Sequence, residues 1–119
     1  MMKDPDFIQG ISSFNEGKFF EAHEAWEDCW RRQSDENVRV FLQGLIQIAA
    51  GFYKFLEQGN PGGARYLLER GLEKLAGFQD GHAGLLLNAF REDASVCLKA
   101  LRRGAVHLER IPKLEGRVC

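Results

Sequence analysis

The run Glu36–Gln58, ENVRVFLQGLIQIAAGFYKFLEQ, leaves this chain few architectures to choose from. Read as a helix at ~100° per residue, it is apolar around most of its circumference. Phe41, Leu42, Leu45, Ile46, Ile48, Ala49, Phe52, Tyr53, Phe55 and Leu56 supply that surface. A helix of this kind belongs at the centre of a bundle, where neighbours cover it on several sides. Arg39, Gln43, Gln47 and Lys54 interrupt it too often for a membrane span and, with Glu57, form one narrow polar strip. Gly44 and Gly51, seven apart, let a neighbouring helix come close at some cost in helix propensity.

The flanking sequence supplies those neighbours. Asp4 or Asp6, with Pro5 in the first turn, starts a short helix bearing Phe7, Ile8, Ile11 and Phe14, which Asn15-Glu16-Gly17 closes. A second helix is expected from about Lys18 to Arg32, and Ser34 or Asp35 caps the central one. Gly59-Asn60-Pro61-Gly62-Gly63 reads as a turn, so the fourth helix is placed at about Gly63–Phe78. Gln79-Asp80-Gly81 is a second break, and the fifth helix is placed at about Ala83–Arg103. Pro112 rules out a long helix after Gly104, so the tail is expected to drape over the bundle through Val106, Leu108, Ile111 and Leu114. No strand pattern is present. The expected fold is all-α: one domain over 1–119, with a short N-terminal helix in 1–16, core helices in 17–103 and an irregular tail in 104–119. About five helices form a compact bundle, built as two antiparallel helical hairpins around the central hydrophobic helix. Gly17-x4-Ala22 and Gly59-x4-Ala64, 42 residues apart, give it a faintly tetratricopeptide-like repeat.

With 119 residues, 45% hydrophobic, the chain can bury a core without metal or disulfide support. A formal net charge of -1 excludes a general affinity for nucleic acid or anionic membrane. Acidic residues dominate up to Glu36, whereas Arg102, Arg103, Arg110, Lys113 and Arg117 make the C-terminal end basic. The two ends are expected to complement each other within the fold or across a dimer. Cys29, Cys97 and Cys119 are scattered, with neither a CxxC pair nor zinc spacing, and fit reduced thiols. MMKDPDF has no apolar secretion-signal core, so the expected location is the cytoplasm.

The chemistry concentrates in Phe19–Arg31, FFEAHEAWEDCWR. Phe19, Phe20, His23, Trp26, Glu27 and Trp30 share one helical face, so His23 and Glu27 sit in the middle of an apolar stripe and need partners there. Four apart, the two can touch. One reading is structural, each side chain satisfying the other inside the core. In a second, the pair lines a cleft for a small molecule or a partner's polar group, walled by Trp26 and Trp30. A third is metal or acid–base chemistry, because HEAWE resembles the HExxH zinc helix with Glu27 in place of the second His. Against it, Glu24 points about 100° away from His23, and His82 and His107 lack a supporting motif. Gln43 and Gln47, four apart on the central helix, are the expected counterparts of the pair across a helix–helix seam, or else part of a solvated edge.

With FNEGKFFEAHEAWEDCWR at 14–31 and FLQGLIQIAAGFYKF at 41–55, the chain closely resembles the domain of unknown function 309 family. That family's pattern joins an FFEAHExWExxW helix to a QGLIQ helix, a GNxxGA turn and a Leu-rich helix. The resemblance covers about Phe14 to Leu75 and implies a compact all-helical bundle. It supplies no substrate. Two function classes follow. The first is a non-catalytic binding or scaffold module using a His23/Glu27/Gln43/Gln47 seam beside Trp26 and Trp30. It needs no cofactor, and its partner is a small molecule, a protein or a second copy of the chain. The second is a small hydrolase-like enzyme, metal-assisted or not, with His23 and Glu27 as ligands or acid–base pair.

Overall fold

Capping chemistry sets most helix starts in the computed structural model, which describes residues 3–116. Helix α1 (Pro5–Asn15) begins where the Asp4 carboxylate accepts the Asp6 amide at 2.9 Å. Helix α2 (Phe19–Arg31) has no side-chain cap at its start. Helix α3 (Glu36–Leu56) is capped by Asp35, which accepts the amides of Asn37 at 2.9 Å and Val38 at 3.2 Å. Helix α4 (Pro61–Leu75) starts two residues before the expected Gly63. Asn60 accepts the Gly63 amide at 2.9 Å, and Pro61 takes the first helical position, where a missing N–H costs nothing. Helix α5 (Leu87–Arg102) starts four residues later than expected. Gly81, Ala83 and Gly84 all have positive φ and hold a short 3-10 turn, His82–Gly84, that cannot continue into an α-helix.

The faint repeat has a structural counterpart. Gly17 (φ 80°) and Gly59 (φ 58°) each turn the chain in the left-handed region between two antiparallel helices. Ala22 and Ala64, five residues later, are both fully buried. Helix α3 packs against α2 on one side and most extensively against α4 on the other. There Gly44 and Gly71 bring the backbones together, since a Cβ on Gly71 would lie 2.8 Å from the Gly44 carbonyl. The hairpin bundle is therefore as expected, and α3 is its centre.

The aromatic core radiates from Phe14, whose ring lies 5.0 Å from Phe19, 5.8 Å from Trp26, 6.1 Å from Phe52 and 5.6 Å from Phe90. One side chain thus ties α1, α2, α3 and α5 together. Several apolar positions depart from expectation: Ile8, Phe20 and Leu56 are about half exposed, and Val106 stands in solvent. The tail is held through Leu108, Pro112 and Leu114, which are buried, with Ile111 half-buried. Its one ladder contact among the described residues is an antiparallel bridge between Leu85 and Gly116.

Among the described residues, the ion pairs of the basic C-terminal end join it to α4 and α5 rather than to the acidic N-terminal segment. Arg32 holds both Asp4 and Asp6 at 2.8 Å, Arg102 meets Glu69 at 3.1 Å and Arg110 meets Asp93 at 3.4 Å. Arg117 and Cys119 lie outside the described residues. Among the described residues no helix is long and apolar enough to cross a membrane.

Candidate functional site

Successive turns of α2 separate the two kinds of residue that shared one face on the wheel. Trp26 is fully buried, and its indole Nε1 donates to the Phe7 carbonyl at 3.1 Å. It lies against Gly10, where a Cβ would come within 2.1 Å of that nitrogen. Trp26 is therefore a core strut between α1 and α2, and it walls no accessible cleft. Cys29 is buried beside it, and burial pushes its thiol up to about 11, which leaves it protonated and inert near neutral pH.

His23 and Glu27 lie instead on the rim, with side chains 26% and 32% exposed. The His23 Nε2 stands 3.7 Å from Glu27 Oε1, an ion-pair distance that is too long for a hydrogen bond. Its Nδ1 is 3.3 Å from Glu24 Oε1. Glu24 departs from expectation: its backbone position faces away, but the flexible side chain curls back onto the imidazole. Glu27 Oε2 is in turn 3.3 Å from Arg31. His23, Glu24 and Glu27 each offer a ligand atom, and these atoms all lie within 4.8 Å of one another. A nitrogen and two carboxylate oxygens are a donor set that suits zinc or manganese, with open positions left for water or substrate.

Aromatic contacts frame this patch at both ends. On one side Phe20, 48% exposed, stacks 6.4 Å from His23 and meets the tilted ring of Tyr53 of α3 at 5.5 Å. A shallow hollow of about 310 Å3 opens there between Phe20, Glu21, Tyr53 and Glu57. On the other side the Arg39 guanidinium lies 3.8 Å over the Trp30 ring. Arg39 also donates to the carbonyls of Trp30 and Gln33, both at 3.0 Å, so it caps the C-terminal end of α2. The Trp30 Nε1 is buried with no hydrogen-bond partner among the described residues. These two contacts fix α2 antiparallel to α3 and place His23 and Glu27 on an open ledge between them.

The glutamines do not complete that ledge by hydrogen bonding. Gln47 turns toward α4, where its Oε1 accepts from Lys74 Nζ at 3.1 Å. Gln43 sits half-buried on the same strip of α3, and no hydrogen bond among the described residues joins either glutamine to His23 or Glu27. The strip is a partly wetted edge of α3 between α2 and α4. A larger groove, about 830 Å3, lies at the far end of that edge, lined by Asn37, Val40, Lys74, Phe78 and His82. His82 was expected only as a loop residue. Its ring packs 4.7 Å from both Phe41 and Phe78, and burial holds its pKa below the usual imidazole value. The flanking glycines, Gly81 and Gly84, were the sequence signal of a turn that could bury it.

Over 79 residues, 66% of the chain, the sequence is 30% identical to an uncharacterized protein of Aquifex aeolicus (strain VF5). The aligned stretch makes up 23% of that relative, so the chain spans less than a quarter of its length. The family described as Domain of unknown function (DUF309) matches residues 7–67, which run from the first turn of α1 into the middle of α4. That segment carries the buried Trp26 strut, the His23 ledge and the whole of α3, and the chain belongs to the DUF309 family.

Proposed function

We propose that this chain is a non-catalytic cytoplasmic binding module that engages a protein partner along the α2 ledge from Phe20 to Trp30. Phe20 carries the reading. It is a large aromatic side chain, half in water, next to a charged His23 triad and a shallow hollow. Exposed aromatics beside polar groups are the usual anchors of protein interfaces. A site-specific photo-crosslinker at position 20 tests this in cells, with the same group at Tyr66, exposed on α4, as the comparison. A discrete adduct is expected from position 20 and not from position 66. Equal, diffuse labelling from both positions removes the reading.

The spacing of the three ligand atoms favours a second reading, a divalent cation held by His23, Glu24 and Glu27. A metal with open positions would polarise a bound water, which is the chemistry of a small metal-assisted hydrolase. Calorimetric titration of the chelator-treated chain with Zn2+ is expected to give one site per chain, weakened at least ~10-fold in His23→Ala. A titration identical in the parent and the variant removes it.

A further inference from the structure

The side chain of Asn15, at the end of α1, bonds to the C-terminal tail. Its Nδ2 donates to the Leu114 carbonyl at 2.8 Å, and its Oδ1 accepts the Leu114 amide at 2.8 Å. One strand gives another this two-bond pairing in an antiparallel ladder, and here a side-chain amide takes the neighbour's place. Lys113 Nζ donates to the Asn15 carbonyl at 2.9 Å. On the opposite side the Leu86 amide donates to the Glu115 carbonyl at 2.8 Å, and the Cys97 thiol donates to the Arg110 carbonyl at 3.0 Å. Leu108, Pro112 and Leu114 are the buried side chains of this segment, which runs along a trough from Cys97, in the second half of α5, to Leu86 before its start and Asn15 at the end of α1.

Bonds to main-chain atoms read an extended conformation, and buried alternate side chains read its sequence, as in recognition by strand addition. Hollows of about 320 Å3 flank the segment on the α1 side and on the α5 side. Gly104–His107 is the linker that leads from α5 to the seated segment, and in it Val106 is 93% exposed. Ordering the nine residues 108–116 costs conformational entropy that opposes the burial and bonding gained.

We propose that this trough is an acceptor for extended peptides of the form Leu-x-x-Ile-Pro-x-Leu, filled in cis by residues 108–116, and that it takes the same segment from a second copy of the chain. The tail is the occupant whose fit the structure displays, so a second copy carries the matching ligand. A short linker keeps the cis tail at millimolar effective concentration, and the chain therefore closes on itself in dilute solution. Removing Val106 and His107 leaves the Gly104 turn intact and shortens the linker by about 7 Å.

Two measurements test the proposal. Light scattering on the chain lacking Val106 and His107 is expected to give twice the parent's mass, returning to the parent's value when Asn15→Ala is added. An unchanged mass overturns exchange between copies. The second measurement uses the full chain carrying Leu114→Asp, whose own tail no longer fills the trough, titrated with a fluorescent peptide of residues 106–116 and with the Leu114→Asp counterpart of that peptide. Saturable binding of the first, at least ~10-fold tighter than the second, is expected. Equal or non-saturable signals overturn the acceptor itself, whether or not the shortened chain folds.

Discussion

Trp26 and His23 sit one turn apart on α2 and contribute to stability in different ways. The Trp26 indole closes the α1–α2 interface, bonded to Phe7 and pressed against Gly10. His23 shares the rim with two carboxylates that solvent screens. Gly10→Ala forces a methyl group into the indole and is expected to cost about 1–3 kcal/mol. His23→Ala is expected to cost less than ~1 kcal/mol, the range of exposed pairs. Urea denaturation of the two variants measures both, and a His23→Ala loss as large as that of Gly10→Ala would show the pair to be a core lock. The helical wheel could not make this distinction. His23 and Trp26 differ by about 60° of arc, and that arc separates the rim of α2 from its buried centre. Nor could the wheel foresee Glu24, because a rotatable side chain moves its carboxylate well away from the direction of its Cα–Cβ bond.

Among the elements, the most legible was the one with the strongest pattern. A helix apolar on nearly every side has to be covered on nearly every side, and α3 is. Asp35 announced its cap in the same way. The starts of α4 and α5 were misplaced for opposite reasons. Pro61 looked like a breaker and is a first-turn residue, whereas Ala83 looked helical and is held at φ 56° between two glycines. Local sequence does not reveal which backbone well a residue will be forced into by its neighbours. The end of α2 was hidden too, because its cap comes from Arg39 on the next helix. Arg39→Met keeps an apolar stem against Trp30 but removes the guanidinium donor from the Gln33 carbonyl and from the Trp30 carbonyl, which keeps only the Gln33 amide. It is expected to lower stability by about 1–2 kcal/mol and to raise amide exchange in the last turn of α2 before other helices respond. Exchange rising uniformly along the chain would mean that the cap is not local.

At the scale of the whole molecule, groups buried in different parts of the bundle report on separate steps of unfolding. The Cys97 thiol, like that of Cys29, is pushed up to about 11 by burial. Alkylation of Cys29, which the tail does not cover, is expected to track global unfolding with urea when followed in a mass spectrometer, whereas Cys97, bonded to the tail at Arg110, is expected to react earlier, as the tail undocks. His82 supplies a pH axis. Burial against Phe41 and Phe78 lowers its folded pKa below the unfolded value of ~6.5. Above that value both states hold a neutral ring, and the contribution is fully present. As pH falls below it, the unfolded chain takes up a proton that the folded chain refuses, and stability declines until pH passes the folded value. Asp4 acts in a lower window: the hydrogen bond from Arg32 depresses its carboxyl below 3.8, and its contribution is lost as pH falls through the folded value. The denaturation midpoint is therefore expected to fall in two separate steps on acidification. His82→Gln should abolish the upper step, which sets in as pH falls below about 6.5, and leave the lower one in place. An upper step that persists unchanged in His82→Gln would assign it to another group and detach the strained Gly81–Gly84 turn from the pH response.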